Sequence, residues 1–293
     1  MRTAVLAAAL ACIVSPSIAA PPQAWTEVDQ VLGRSGTDAP GDVRRYGFPR
    51  SDLQVRIGDV AVEPGLALGS WAAFHPMPSG NDVVAMGDLV LLGSEVNPVA
   101  RELQAKGFEI LAIHNHLIDE SPRVLYMHFH GHGEAATLAR ALRGALEKTK
   151  TPLGPPGPPA SATSDQQAAV QRFQDVLGRK GTMAGRVLQI GVPRRDAIRD
   201  AGMDVPPSMG MAISINAQAA GSGVATTGDF VLVADEVNPV ILALQARGID
   251  VTALHSHMLR EEPRLFFMHF WGVGEPERIA AGLKEALAKV AAK

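Results

Sequence analysis

The chain has 293 residues, 46% of them hydrophobic and 19% charged, with a net charge of −3. That length builds one large or two modest domains, each with a real core, and the balance is that of an ordinary globular protein. No basic excess exists to neutralise phosphates, so nucleic-acid binding has little electrostatic support.

Met1-Arg2 gives a short basic start, Ala4 to Val14 is an uninterrupted apolar run, and Ser15-Pro16-Ser17-Ile18-Ala19-Ala20 supplies small residues suited to cleavage. This order predicts a removable secretory signal over residues 1–20, too short to span a bilayer. The expected location is periplasmic or secreted, with no transmembrane segment in the mature chain. Cys12, the sole cysteine, lies inside the run, so the exported chain is expected to carry no thiol and no disulfide. Ala9-Leu10-Ala11-Cys12 makes a poor lipoprotein site, its leucine one position late, and a lipid anchor is the lesser alternative.

A first unit, residues 21–150, opens with a helix around Trp25 to Leu32. Leu53, Val55 and Ile57 alternate with polar residues, as a half-buried strand should. Further strands are expected at Gly69 to Phe74 and Asp88 to Leu92. Asn97-Pro98 reads as an N-cap followed by proline at the first helical position, with Gly107 as the stop. A histidine-rich hairpin follows, and then a closing helix from about Glu134 to Glu147.

The run Thr151-Pro152-Leu153-Gly154-Pro155-Pro156-Gly157-Pro158-Pro159 cannot sustain a helix or a central strand, so residues 151–164 read as a linker. A second unit, residues 165–293, then repeats the first. Gly87-Asp88-Leu89-Val90-Leu91-Leu92 matches Gly228-Asp229-Phe230-Val231-Leu232-Val233, and Glu95-Val96-Asn97-Pro98-Val99 matches Glu236-Val237-Asn238-Pro239-Val240. Its helices are expected over Ala168 to Leu177, Pro239 to Arg247 and Glu275 to Val290. The expected class is α+β: two tandem copies of a β-sheet unit covered by helices, packed either as separate beads or as one pseudo-twofold body.

The chemistry concentrates in the hairpins. His255, His257 and His269 repeat His114, His116 and His128 at one constant offset (255 − 114, 257 − 116, 269 − 128). Strand residues two apart share a face, so each set lies on one side of its sheet. A turn centred near Ser121 would set His114 directly opposite His128, within reach of one ion. That register also gathers Leu111, Ile113, Leu117, Leu125, Met127 and Phe129 on the opposite, core face. Three β-borne histidines with an open fourth position suit catalytic zinc, so His114, His116 and His128 form one expected site and His255, His257 and His269 another. Imidazole suits copper as well. A row of solvated or hydrogen-bonded histidines is the plain alternative.

Glu95 and Glu236 precede the expected helix start, where each could ligate the metal, act as general base on bound water, or cap the helix electrostatically. Asp88 and Asp229 follow glycine and read as turn residues. His130 and His132, replaced by Trp271 and Val273, would line the pocket of the first copy only. His75, which aligns with Asn216, is either a second-sphere group or a loop histidine. Arg123 and Arg264, each after proline at the turn, could hold an anionic substrate or be solvated. No G-x-S-x-G elbow or phosphate loop occurs.

The run G-D-x-V-L-x-x-x-E-V-N-P-V, then H-x-H, then P-R-x-x-x-M-H-F, resembles the LppY/LpqO-type family of exported bacterial proteins, with its domain present twice. The resemblance implies bacterial export and no assigned activity or catalytic residue. In spacing alone, His114-x-His116 followed by His128 is similar to the zinc pattern of acetolactate decarboxylase and of an HxH-type zinc ester hydrolase. The combined expectation is an exported protein binding a divalent metal, zinc before copper. It would be a metal-dependent hydrolase or lyase of a small carbonyl or ester, or else a non-catalytic metal- or ligand-binding envelope protein.

Overall fold

The structure is a computed structural model that describes residues 22–77, 82–155, 157–158 and 160–293. The expected signal over residues 1–20, with Cys12, lies outside the described residues. The first half contains α1 (Pro22–Leu32), β1 (Thr37–Ala39), β2 (Val43–Pro49), β3 (Arg56–Ile57), β4 (Val60–Ala61), α2 (Pro64–Ala67), β5 (Gly69–Pro76) and β6 (Asp82–Leu92). It continues with α3 (Gly93–Ala105), β7 (Glu109–His114), β8 (Glu120–Ser121), β9 (Val124–Glu134) and α4 (Ala135–Leu146). The second half runs α5 (Ser164–Leu177), β10 (Thr182–Ala184), β11 (Val187–Pro193), β12 (Arg199–Asp200), β13 (Met203–Asp204) and a 3-10 turn at Pro207–Met209. It ends with β14 (Ala212–Ala220), β15 (Gly223–Leu232), α6 (Ala234–Gln245), β16 (Asp250–His255), β17 (Glu261–Glu262), β18 (Phe266–Gly274) and α7 (Pro276–Leu287).

Each half is α+β, with a six-stranded antiparallel sheet and a three-stranded flap. The large sheets run β1-β2-β5-β6-β9-β7 and β10-β11-β14-β15-β18-β16, the same order twice. Strand alternation decides the layers. Leu89, Leu91, Met127 and Phe129 bury one face of the first sheet under α3 and α4. Phe230, Leu232, Met268 and Phe270 do the same under α6 and α7.

The helix-free faces turn toward each other. From the first half, α2 lies on the second sheet: Asn216 donates to the Leu66 carbonyl (2.9 Å) and Gln218 to that of Ala61 (2.7 Å). From the second half, the turn at Pro207–Met209 lies against β5, with the Ser208 hydroxyl donating to the Pro40 carbonyl (2.6 Å) and Arg45 donating to the Ser208 carbonyl. The halves thus clasp each other reciprocally, as one pseudo-twofold body rather than two beads.

Several expectations shift. The strand expected around Leu53 to Ile57 shrinks to the two residues of β3, while β1 and β2 were not foreseen. Helix α3 starts at Gly93, four residues before Asn97, so Pro98 lies inside it and not at its first position. The start is set by Glu95, whose carboxylate accepts from the Leu92 amide (2.8 Å) and binds Arg50 at 2.7 and 3.2 Å. The side chain of Arg50 is wholly buried and also donates to Asp52 and to the Val90 carbonyl. Glu236 repeats the device with the Val233 amide and Arg194. Removing one member of such a buried pair costs about 3–5 kcal/mol. Glu95→Ala and Glu236→Ala are each expected to lower the thermal unfolding temperature by a loss of that size, with the metal content of the purified protein unchanged.

Candidate metal centre

The hairpin register differs from expectation by two residues. His114 lies opposite Tyr126, and His128 opposite Ala112; in the second half His255 faces Phe267 and His269 faces Ala253. The edge strand β7 stops at His114, and the chain then leaves the sheet to pair β8 with β3, so the turn centres on Glu120 and not on Ser121. A slip of two preserves the side-chain face. His114, Tyr126 and His128 therefore still share one side, while His116 sits in the loop beyond the strand. The expected core face is broken: Leu117, Met127 and Phe129 are fully buried, but Ile113 is 49% exposed, as is its counterpart Leu254 at 46%. A bulge between Ile110 and Ala112 turns Leu111 away from the helix side, toward the second half's core.

The two expected sites are one. All six imidazoles meet where the helix-free faces approach, and they pair across the halves. His114 and His255 have ring centroids 3.8 Å apart, His116 and His269 3.6 Å, and His128 and His257 3.7 Å. A twofold operation exchanging the repeats maps the first pair onto itself and interchanges the other two. Within each half the spacings agree: His114–His116 4.9 Å and His255–His257 4.8 Å, His114–His128 and His255–His269 both 5.0 Å. Tyr126 stacks on His116 at 3.4 Å and Phe267 on His257 at 3.7 Å.

Two carboxylates complete the cluster. Asp88 and Asp229 are not turn residues but lie mid-strand, directly opposite His128 and His269. Asp88 Oδ2 is 3.6 Å from His116 Nε2 and 3.8 Å from His128 Nε2. Asp229 lies 3.8 Å from His257 Nδ1 and 3.9 Å from His269 Nδ1. A signal for them was present in the sequence, since Asp229 follows Asp88 at the histidines' own offset (229 − 88).

The glycines before these aspartates have a structural duty. A Cβ on Gly87 would stand 2.3 Å from the Trp71 carbonyl oxygen, and one on Gly228 1.9 Å from that of Ser214. Only glycine fits so close a strand approach. Their carbonyls also orient the imidazoles. His269 Nδ1 donates to the Gly228 carbonyl at 2.9 Å, and His128 bonds to Gly87 in the same way. A ring that donates through Nδ1 presents a lone pair at Nε2.

Those lone pairs have no protein partner. His128, His255, His257 and His269 each leave a buried Nε2 unbonded, His114 its Nδ1, and Asp88 and Asp229 an Oδ1. Two ligand sets have all their donor atoms within 4.8 Å of one another: His114, His116, His257 and His269, and separately Asp88, His116 and His128.

The other expected residues lie apart. Glu95 and Glu236 are not in either set, and their carboxylates are engaged by arginine and by backbone amides, so the cap reading describes them and the base reading does not. Arg123 and Arg264 are exposed, the latter paired with Glu261. His75 and His130 line a second small cavity with Met86, Asp200 and Met209, and His132 is half exposed beside Asp82.

Burial sets the electrostatics. It lowers every imidazole of the cluster, His255 to about 4 and, with help from the His255 ring, His128 to about 3. It raises Asp88 to about 7, and Asp229 well above the usual carboxylate range. Burial thus pushes imidazoles and carboxyls alike toward their uncharged forms.

The family comparison falls on the same two segments. Residues 26–148 and 171–289 each match the family described as "Domain of Unknown Function (DUF1259)". The chain belongs to the DUF1259 family. No curated protein matches the chain. Among solved structures, a trimeric bacterial microcompartment shell protein, PduB, is 12% identical, with 86% of this chain and 89% of that one covered and a TM-score of 0.21. EtuB from Clostridium kluyveri is 10% identical, with 86% and 90% covered and a TM-score of 0.20. Neither likeness, at those scores, bears on the site of this DUF1259 protein.

The metal-free protein should be acid-labile. An imidazole whose folded value is depressed contributes stability that is complete above its ordinary 6.5 and is lost as pH falls toward the folded value, about 4 for His255 and about 3 for His128. Asp88 works the other way, its contribution fading as pH rises through about 7. With six imidazoles against two carboxylates, the melting temperature of chelator-treated protein is expected to drop steeply from pH 6.5 to pH 4. A flat profile over that interval would contradict neutral, buried rings.

Proposed function

We propose that this DUF1259 protein binds a transition-metal ion, zinc first among the candidates, at one composite centre to which both repeats contribute. The observation that carries the reading is the set of five buried, unpartnered imidazole nitrogens on rings that pack in cross-repeat pairs less than 4 Å apart. Each would cost about 1–3 kcal/mol if left unsatisfied, a total on the order of a whole domain's stability. A coordinated ion would take up the lone pairs of the rings that surround it. Donors of imidazole and carboxylate, without thiolate, suit zinc or copper(II) better than magnesium or calcium.

Binding without turnover fits better than hydrolysis or lysis of a carbonyl or ester. A catalytic zinc keeps an open position and space beside it. The cavity next to His128 and His257 measures about 10 Å³, the room of about one water. The carboxylates expected to serve as bases, Glu95 and Glu236, are tied up elsewhere.

Elemental analysis of protein dialysed against zinc tests this directly. The wild type should retain stoichiometric metal, while His116→Ala in one repeat and His269→Ala in the other should each reduce it at least tenfold. A wild type that retains none sinks the reading, and so does a His269→Ala variant with full content, because the second repeat would then contribute no ligand; a loss of only half would mark two independent three-histidine sites and sink it too.

The LppY/LpqO-type motifs and the basic–apolar–small leader support an exported protein, periplasmic or secreted, in this reading. The intact mass of the chain recovered from a bacterial periplasm should correspond to cleavage after Ala19 or Ala20. A mass that includes residues 1–20, or a lipid on Cys12, would overturn that assignment.

A further inference from the structure

Four of the chain's ten methionines, Met86, Met209, Met211 and Met258, line the small cavity beside His128 and His257. Met86 is 6% exposed and the other three less. The cavity measures about 10 Å³, and the rings of Trp71 and Phe129 form part of its wall. Its two imidazoles come one from each repeat, with centroids 3.7 Å apart, and each leaves a buried Nε2 without a hydrogen-bond partner. The other ring nitrogen is engaged elsewhere: His128 bonds to the Gly87 carbonyl, and His257 turns Nδ1 toward Asp229 at 3.8 Å.

The repeat supplies an internal comparison. Trp71 stands opposite Asp88 and Ser214 opposite Asp229, so Met209 and Met211, which precede β14, answer to Leu66 and Leu68 before β5. At the offset of the histidines, Met258 answers to Leu117 and Met86 to Thr227. None of these counterparts carries sulfur, and all three leucines are as deeply buried as the methionines they replace. Filling the volume therefore needs no thioether, since leucine does it in the exchanged position. Sulfur gathers on one flank of the centre only, the flank where two unbonded Nε2 atoms lie.

We infer that this cavity is a seat for copper(I), held by Nε2 of His128 and of His257 together with the surrounding thioethers. This rests on the composite metal centre proposed above. Thioether combined with imidazole is the donor set of a soft ion, whereas the usual donors of zinc are thiolate, imidazole and carboxylate. A single charge also costs far less to bury among apolar walls than a double one. Met86 and Met209 are shared with the second cavity, where Met203, His75 and His130 join them and His75 Nδ1 and His130 Nε2 are again unbonded. Soft donors thus continue outward from the seat to the half-buried Met203, an entry path for the ion. His257 also belongs to the four-imidazole set, so copper(I) and zinc are alternative occupants of one centre.

Replacing sulfur without changing volume tests the seat. Metal-stripped protein is titrated anaerobically with copper(I) against the chromophoric chelator bicinchoninate, and the complex is examined by X-ray absorption at the copper edge. Met86→Leu, Met258→Leu and the double variant Met209→Leu/Met211→Leu are compared with the wild type, because leucine for methionine preserves packing and fold. Zinc retention is measured on the same four proteins. The wild type is expected to bind one equivalent with sulfur bonded to copper, and at least one leucine variant to bind copper(I) at least tenfold more weakly with zinc retention unchanged. Equal copper(I) affinity in all four proteins, or copper bonded to nitrogen alone, overturns the seat. Zinc lost in step with copper(I) in the variants overturns it as well, since the thioethers would then be structural. A wild type that retains zinc and takes up no copper(I) overturns the seat and leaves the composite centre standing, whereas retention of neither metal overturns both.

Discussion

Three imidazole pairs, each with one ring from either repeat, are the constraint around which the molecule is arranged. His114 meets His255, His116 meets His269, and His128 meets His257, all with centroids under 4 Å apart. Neither half can form any of these contacts alone. The helix-free face of each sheet must therefore be covered by the other half, and the reciprocal clasp of α2 on one sheet and the turn at Pro207–Met209 on the other provides that cover. Layering, docking and site are consequences of one juxtaposition.

The juxtaposition also explains why so much polarity is buried. Six rings, two carboxyl groups and few hydrogen bonds among them make a poor core by any packing standard. In the first sheet the same face carries Val90, Val124 and Tyr126 within an apolar cluster a few residues away, so apolar material was available to fill it. Retaining imidazoles there makes physical sense when a cation completes the set, because a cation turns each orphaned lone pair into a ligand. Glycine has two functions in this design. It lets β6 and β15 pass close to their neighbours, and its carbonyl fixes the ring tautomer of the histidine on the adjoining strand.

Much of this was legible in the sequence, for reasons that also mark the limits. The α+β class, the repeat and the shared face of the histidines all depend on local alternation, which survives a two-residue slip of register. The opposition of His114 to His128 depended on loop length, and β8 pairing with β3 altered it. Helix α3 was entered too late because Asn97-Pro98 imitates a start, whereas the start is set by Glu95 through Arg50, a residue 45 positions earlier in the chain. Asp88 was passed over because glycine–aspartate suggests a turn when read locally. Contacts between the repeats could not be seen at all, since nothing in a constant offset says whether two equivalent surfaces face each other or face away.

Pseudo-symmetry, finally, sorts the residues of the two repeats by what they touch. The four positions that meet at the axis are chemically identical in both copies: aspartate, then three histidines. Positions that flank it differ. Tyr126 answers to Phe267, which keeps the stacked ring and drops the hydroxyl; His130 answers to Trp271, His132 to Val273 and His75 to Asn216. A residue at the axis is contacted by both halves, so a change in one copy alters the surroundings of the other. A residue one row out meets a different neighbour in each half: His130 lines a cavity with Asp200 of the other repeat, whereas Trp271 packs beside Leu66 and Val187. Identity is thus kept at the cluster and, away from it, at the arginine–glutamate caps of α3 and α6, whereas these flanking positions diverge with the neighbours they meet.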